Sequence, residues 1–315
     1  MSGVPSPKPT ALGTKPARIS NSGDRGYFPD GESVLREVHG ERIVGLYYGQ
    51  RTTLVGALDA LLYEGTERHT RGKSQPWARL ARTARIMENV FFGTREDADK
   101  ELARVAAMHK KVKGTIPASA DPRISGKRYS AFTPELAYRT IGAMADSALA
   151  VYEACVRELN DNERETYWQE YLYAGELFGL DVERPVVPNT YEQFREDWDA
   201  WLHDPKLFLT PGARESAIQS AFHQPLPRPQ EELQKRLNHL IVTGTLPDRV
   251  REIYGLDWGF KDRLAFRAMT KSLKTSRPVT PRQIRRGRNH AQFNLVARTE
   301  HFRQERGRET WQIPA

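Results

Sequence analysis

REDADKELARVAAMHKKVK, residues 95–113, sets apolar side chains at Leu102, Val105, Ala106 and Val112, with His109 on the same line. Steps of three and four recur along it, which is one stripe of a helix rather than the alternation of a strand. Lys110 and Lys111 therefore point to water, and the imidazole of His109 points inward. Gly114 closes the segment, as glycine does past a helix end.

The same punctuation extends in both directions. Residues 77–92 read as a second helix, opened by Gln75 and Pro76 and ended by Gly93. Upstream, 42–69 is apolar with few breakers and gives one long helix or two short ones, while Gly31, Glu32 and Ser33 make a cap-like start to 34–39. Downstream, a loop over 114–127 leads to Thr133, Pro134 and Glu135, an N-cap, an N1 proline and an early acid for a helix reaching about residue 159. Asn160 or Asp161 opens another that reaches Phe178, and 191–203, 211–222 and 231–243 follow as three more. Strong strand alternation is absent, so the fold class is all-α. Residues 1–29, rich in Pro, Gly and Ser, read as a flexible arm, 30–270 as one helical domain and 271–315 as a basic tail.

Composition narrows the chemistry. No apolar run approaches the roughly 18 residues of a membrane helix, and the N-terminus lacks the apolar core of a secretory signal, so the cytoplasm is the default compartment. Cys155 is the single cysteine, which excludes intrachain disulfides, zinc fingers, cysteine-held iron–sulfur clusters and covalent c-type haem. Its helical spacing from Ala148 and Val151 makes it a packing residue. The net charge of +8 equals the excess between Lys271 and Glu309, where two Lys and nine Arg face three Glu. Such a tail is a solvated or docking extension as readily as a nucleic-acid arm, and no reading motif accompanies it, so no specific nucleic-acid partner is expected.

Two groups of residues can carry chemistry. Arg79, Arg82 and Thr83 stand at i, i+3 and i+4 on one helical face, which reads either as a solvated charged stripe or as a set of convergent donors. His109 reads either as a hydrogen-bonded core histidine or as a metal ligand. The other histidines form no HExxH or comparable spacing, and dinucleotide loops, phosphate loops and GxSxG elbows are missing. Glu64 and Glu67, on the helix before the arginine face, can approach it as acid or base or serve as surface ion-pair partners.

The order of these pieces resembles the oxygenase family that contains latex-clearing protein, a rubber oxygenase, and the fungal MpaB-type enzymes. The resemblance spans 31–277 and rests on GES (31–33), VHGE (38–41), PWARLART (76–83), FGT (92–94), MHKKVKG (108–114), YSAFTPE (129–135) and the stretch from Leu246-Pro247 to Asp257-Trp258. It implies a globin-like helical core around a noncovalent haem b. By position, the resemblance makes His109 the axial iron ligand and sets Arg79, Arg82 and Thr83 on the distal side. Two departures stand out: latex-clearing protein carries lysine where this chain has Arg82, and the acid it uses as a base has only Glu64 near its place.

The expectation is a haem b oxygenase acting with dioxygen or peroxide on a small apolar, unsaturated, isoprenoid-like substrate, with oxidative C=C cleavage as one outcome. A haem sensor without turnover, a peroxide-using hydroxylase or peroxidase, and a docking protein driven by the basic tail are the competing readings.

Overall fold

Helical periodicity is answered by helices almost throughout residues 25–70, 75–308 and 311, which the computed structural model describes. Ser33 caps α1 (Val34–Gly40) by accepting from the Arg36 amide. The apolar run that follows splits into α2 (Arg42–Gly56) and α3 (Ala60–His69), because Asp59 takes an extended backbone and accepts from the Leu62 amide at 2.9 Å. The next helices are α4 (Pro76–Phe92) and α5 (Arg95–His109), the latter capped by Thr94. Then come α6 (Pro134–Cys155), α7 (Asp161–Leu177), α8 (Tyr191–Leu202) and α9 (Pro211–Phe222). The chain continues through α10 (Gln230–Asn238), a π-helical turn His239–Thr243, α11 (Asp248–Tyr254) and α12 (Phe260–Ser276). It ends in α13 (Arg282–Arg285) and α14 (His290–Glu305).

The all-α class stands, with one small addition. β1 (Lys113–Thr115) pairs antiparallel with β2 (Arg128–Ser130), placing Gly114 opposite Tyr129. Strands of three residues are too short for alternation to register, and α5 ends at His109, four residues short of the helix read from sequence, whose last residue Lys113 opens β1.

The centre of the core is α6 against α2. Most of α6 is buried, and Gly142 lets the Trp198 and Phe194 rings close onto it, since a Cβ there would meet them at 2.7 and 3.2 Å. Phe194 stacks on Trp168 at 4.0 Å between centroids, and its full burial contributes roughly 3 kcal/mol. One ion pair crosses this core. Arg51 on α2 donates to Asp146 Oδ2 at 2.6 Å, to Ser147 Oγ at 2.9 Å and to the Thr245 carbonyl at 3.1 Å, so the buried charges are matched donor to acceptor.

Both ends of the described chain join this body. Tyr27 and Phe28, which fall within the arm read from sequence, are buried, and Tyr27 donates to Asp99 at 2.6 Å; the arm's residues 1–24 lie outside the described ones. The segment read as a basic tail is likewise folded onto the body over its described part. Arg277 and Arg285 reach the buried Glu41 carboxylate at 2.9 and 3.4 Å, Arg303 pairs with Glu231 at 2.8 Å, and α14 lies along α4.

Candidate active site

Two helices joined at Gly93 and Thr94 set out the site. Arg79 stands 14 residues before Gly93 and His109 stands 15 after Thr94. α4 and α5 pack as a hairpin, with Asn89 donating to Glu101 across it, so the start of α4 and the end of α5 share its open end. The first turn of α4 lacks a side-chain cap of its own. Its amides are taken by Glu300 of α14, fully buried, which accepts from Trp77 N at 3.3 Å and Ala78 N at 2.8 Å. A carboxylate at a helix N-terminus also meets the positive end of the helix dipole.

Arg79 is half-buried in the groove between α4 and α3. Its Nη1 donates to Thr70 Oγ1 at 2.9 Å, while Nε is buried and has no hydrogen-bond partner among the described residues. Burial lowers its proton affinity, the negative charge of Glu67 opposes that, and Arg82 adds repulsion. Tyr63, whose hydroxyl lies 2.5 Å from Ser216 Oγ and 3.0 Å from the Gly212 carbonyl, is kept protonated by burial and by Glu67. Of the two α3 carboxylates, Glu67 is the one whose negative charge is felt by the arginine. Glu64 turns the other way, toward Thr210 at 3.3 Å and Arg68 at 3.6 Å.

The three residues of the α4 face are not equally placed. Arg82 and Thr83 are exposed, and Thr83 Oγ1 donates back to the Arg79 carbonyl at 3.2 Å. Tyr63 and Thr70, which no motif singled out, join Arg79 and Glu67 instead; their signal in the sequence is only that Tyr63 and Glu67 are one helical turn apart.

His109 ends α5 with its ring against Phe132, 6.1 Å between centroids and nearly perpendicular. Leu102 and Val105 are buried on the same stripe and Lys110 and Lys111 are exposed. Burial lowers the imidazole's proton affinity, so the ring is neutral at pH 7 and keeps a lone pair. Among the described residues, no hydrogen bond engages that ring. Beside it, Tyr129 of β2 closes over Gly65 and Gly114 and meets His69 Nε2 at 3.1 Å. His69 is therefore occupied where His109 is open.

Other candidate ligands fall away on chemistry. Cys155 is buried and its thiol is pushed up to about 12, which leaves no thiolate. His39 is buried at 4% exposure, its pKa pushed down to about 3, with Nε2 held 2.5 Å from the Tyr171 hydroxyl. Among the described residues, no three His, Cys, Asp or Glu side chains gather to hold a metal ion, and no helix is long and apolar enough to cross a membrane. A cavity of about 800 Å³ opens between α14 and residues 226–231, but Arg79, Arg82, Thr83 and His109 do not line it.

The family model for the catalytic domain described as ER-bound oxygenase mpaB/B'/rubber oxygenase matches residues 36–275. The chain belongs to this oxygenase family. No curated protein and no solved structure matches it. The mpaB/rubber oxygenase domain thus covers every element from α1 to α12, including the hairpin that carries Arg79 and His109, and leaves α13 and α14 outside. Membership supports an oxidoreductase that uses oxygen.

Proposed function

We propose that this protein is a haem b-dependent oxygenase in which His109 would hold the iron and Arg79 would be the principal polar group on the reacting side. The observation that carries the reading is the neutral imidazole of His109, free of hydrogen bonds among the described residues, at the same hairpin end as a guanidinium whose buried Nε lacks a partner. This donor set suits haem, which asks for one imidazole and an apolar wall rather than a cluster of acids. When bound, haem supplies the iron chemistry that activates dioxygen or peroxide.

The chain's own residues do the rest. Phe132 fixes the plane of the His109 ring, and the end of α5 fixes its height. Arg79 remains protonated and offers Nε–H as a fixed donor, held at its other end by Thr70. Preorganised donors of this kind lower the cost of charge that develops on oxygen. Glu67, whose charge acts on the guanidinium, would take or return a proton near it, alongside Glu64, the acid that the family resemblance puts near this place. Arg82, at the exposed edge of the same face, would act as an outer donor, and Thr83 beside it would do so only by releasing the Arg79 carbonyl to which its hydroxyl now donates. The substrate is a small apolar molecule, isoprenoid-like and unsaturated, and C=C cleavage is the reaction to test first.

A pyridine haemochrome assay on the purified chain, followed by product analysis on an isoprenoid panel under oxygen, tests the proposal. One haem b per chain and oxygen-dependent products are expected. A chain that neither retains nor takes up haem would overturn it, and haem without turnover on any substrate would make the protein a sensor.

A further inference from the structure

At the opposite end of α4 from Arg79, a pocket of about 230 Å³ lies where α1, Phe92 and the segment after α13 meet. Arg36, Arg286 and Arg288 line it, with Asp30 as the acidic residue of its wall. The guanidiniums of Arg36 and Arg288 both sit over the Phe92 ring, 5.5 and 6.0 Å from its centroid. Arg36 is aimed by the Phe28 carbonyl at 2.9 Å. Gly40 leaves room for Arg286 beside α1, where a Cβ would stand 2.8 Å from Nη2.

Its charge is not neutralised from within. Asp30 is 4.0 Å from Arg36 and is shared with Arg282 at 3.3 Å. Glu41 is engaged by Arg277 and Arg285 and stands 4.0 Å from Arg286. Among the described residues, no carboxylate pairs with Arg288. Burial lowers the proton affinity of Arg36, and Arg288 and Arg286 lower it further against the pull of Asp30.

We propose that this pocket binds a phosphoryl anion, a phosphate or diphosphate group, through Arg36, Arg286 and Arg288. Planar guanidinium forks match the oxygens of a phosphate, and three converging forks exceed what one carboxylate can satisfy. Phe92 is 13 residues from Arg79 along α4, or about 20 Å, so the site is separate from the oxygenase face and the proposal stands whether or not haem binds.

Titration calorimetry of the full chain with inorganic diphosphate tests it, together with sedimentation of the chain with phosphatidylcholine vesicles with and without phosphatidic acid. Arg288 is exposed and its replacement leaves the core intact. Arg288→Gln should weaken binding about ten-fold or more, the loss expected for a charge-assisted contact. Arg267→Gln removes an equal charge from the exposed face of α12 and should leave binding unchanged. Binding of diphosphate that is lost in Arg288→Gln identifies a free phosphoryl ligand; vesicle binding alone, lost in the same variant, identifies a lipid phosphate. Failure of both probes, or equal weakening by the two variants, overturns the proposal.

Discussion

Arg79 and Thr70 are joined at 2.9 Å, so the first turns of α4 are tied to the residue that ends α3. The bond holds one edge of the guanidinium and leaves the Nε edge without a partner among the described residues. Replacing Arg79 by Ala removes a fixed donor, and turnover should fall about 10²-fold or more, as it does when one preorganised oxyanion donor is lost. Arg79→Lys should not restore it, because an ammonium holds its donors on one nitrogen and cannot reach Thr70 while setting a separate N–H at the Nε position of the guanidinium plane. Steady-state rates on an accepted substrate check this, and unchanged rates in both variants would remove Arg79 from the site.

His109→Ala should abolish haem retention while helical content, read by circular dichroism, stays the same, because alanine is favourable at a helix end. His69→Ala is the control: its ring already meets Tyr129. Haem retained in the first variant and lost in the second would move the ligand to α3.

Glu300→Ala should destabilise the fold by about 1–2 kcal/mol, the range for a lost helix cap, and Glu300→Gln by less, since one amide oxygen still accepts. Urea unfolding measures both. Ending the chain before His290 should do more. It strips α14 from Trp77 and Leu80, although from sequence alone the segment looks separable from the site.

Asp146 gives the pH dependence a sign. Burial alone would raise its pKa, but Arg51 and Arg195, at 2.6 and 2.5 Å, outweigh burial and hold it below the usual carboxylate range. A depressed folded-state pKa adds stability above the unfolded value and loses it as pH falls through the folded one. Unfolding free energy should therefore drop on the acid side of pH 4 or thereabouts, and the drop should be shallower in Asp146→Asn. Arg51→Met, which strands a buried carboxylate, should cost about 3–5 kcal/mol at neutral pH.

The helices around the site were legible because punctuation and periodicity agree there: Pro76 and Gly93 bound α4, and the stripe through Leu102, Val105 and His109 faces inward as spaced, while the Thr94 cap of α5 is a finding of the structure. The break at Asp59 is less legible, since a single capping aspartate interrupts a run that stays apolar on both sides. α14 left little trace because its buried contacts are Val296 and the carboxylate of Glu300, and an acid at the core looks like surface in a sequence. The same blindness applies to Glu64 and Glu67. They lie three residues apart, and only the packing of α3 against α9 turns Glu64 toward Thr210.

The carboxylate that caps α4 has a consequence for the order in which the molecule is made. A ribosome synthesises residues 30–270 before it reaches Glu300, so the first turn of the helix bearing Arg79 waits with open amides while the rest of the body emerges. The Arg79 face is thus finished among the last parts of the fold, and a nascent chain stalled after α12 would hold His109 on α5 beside an α4 that has yet to be pinned.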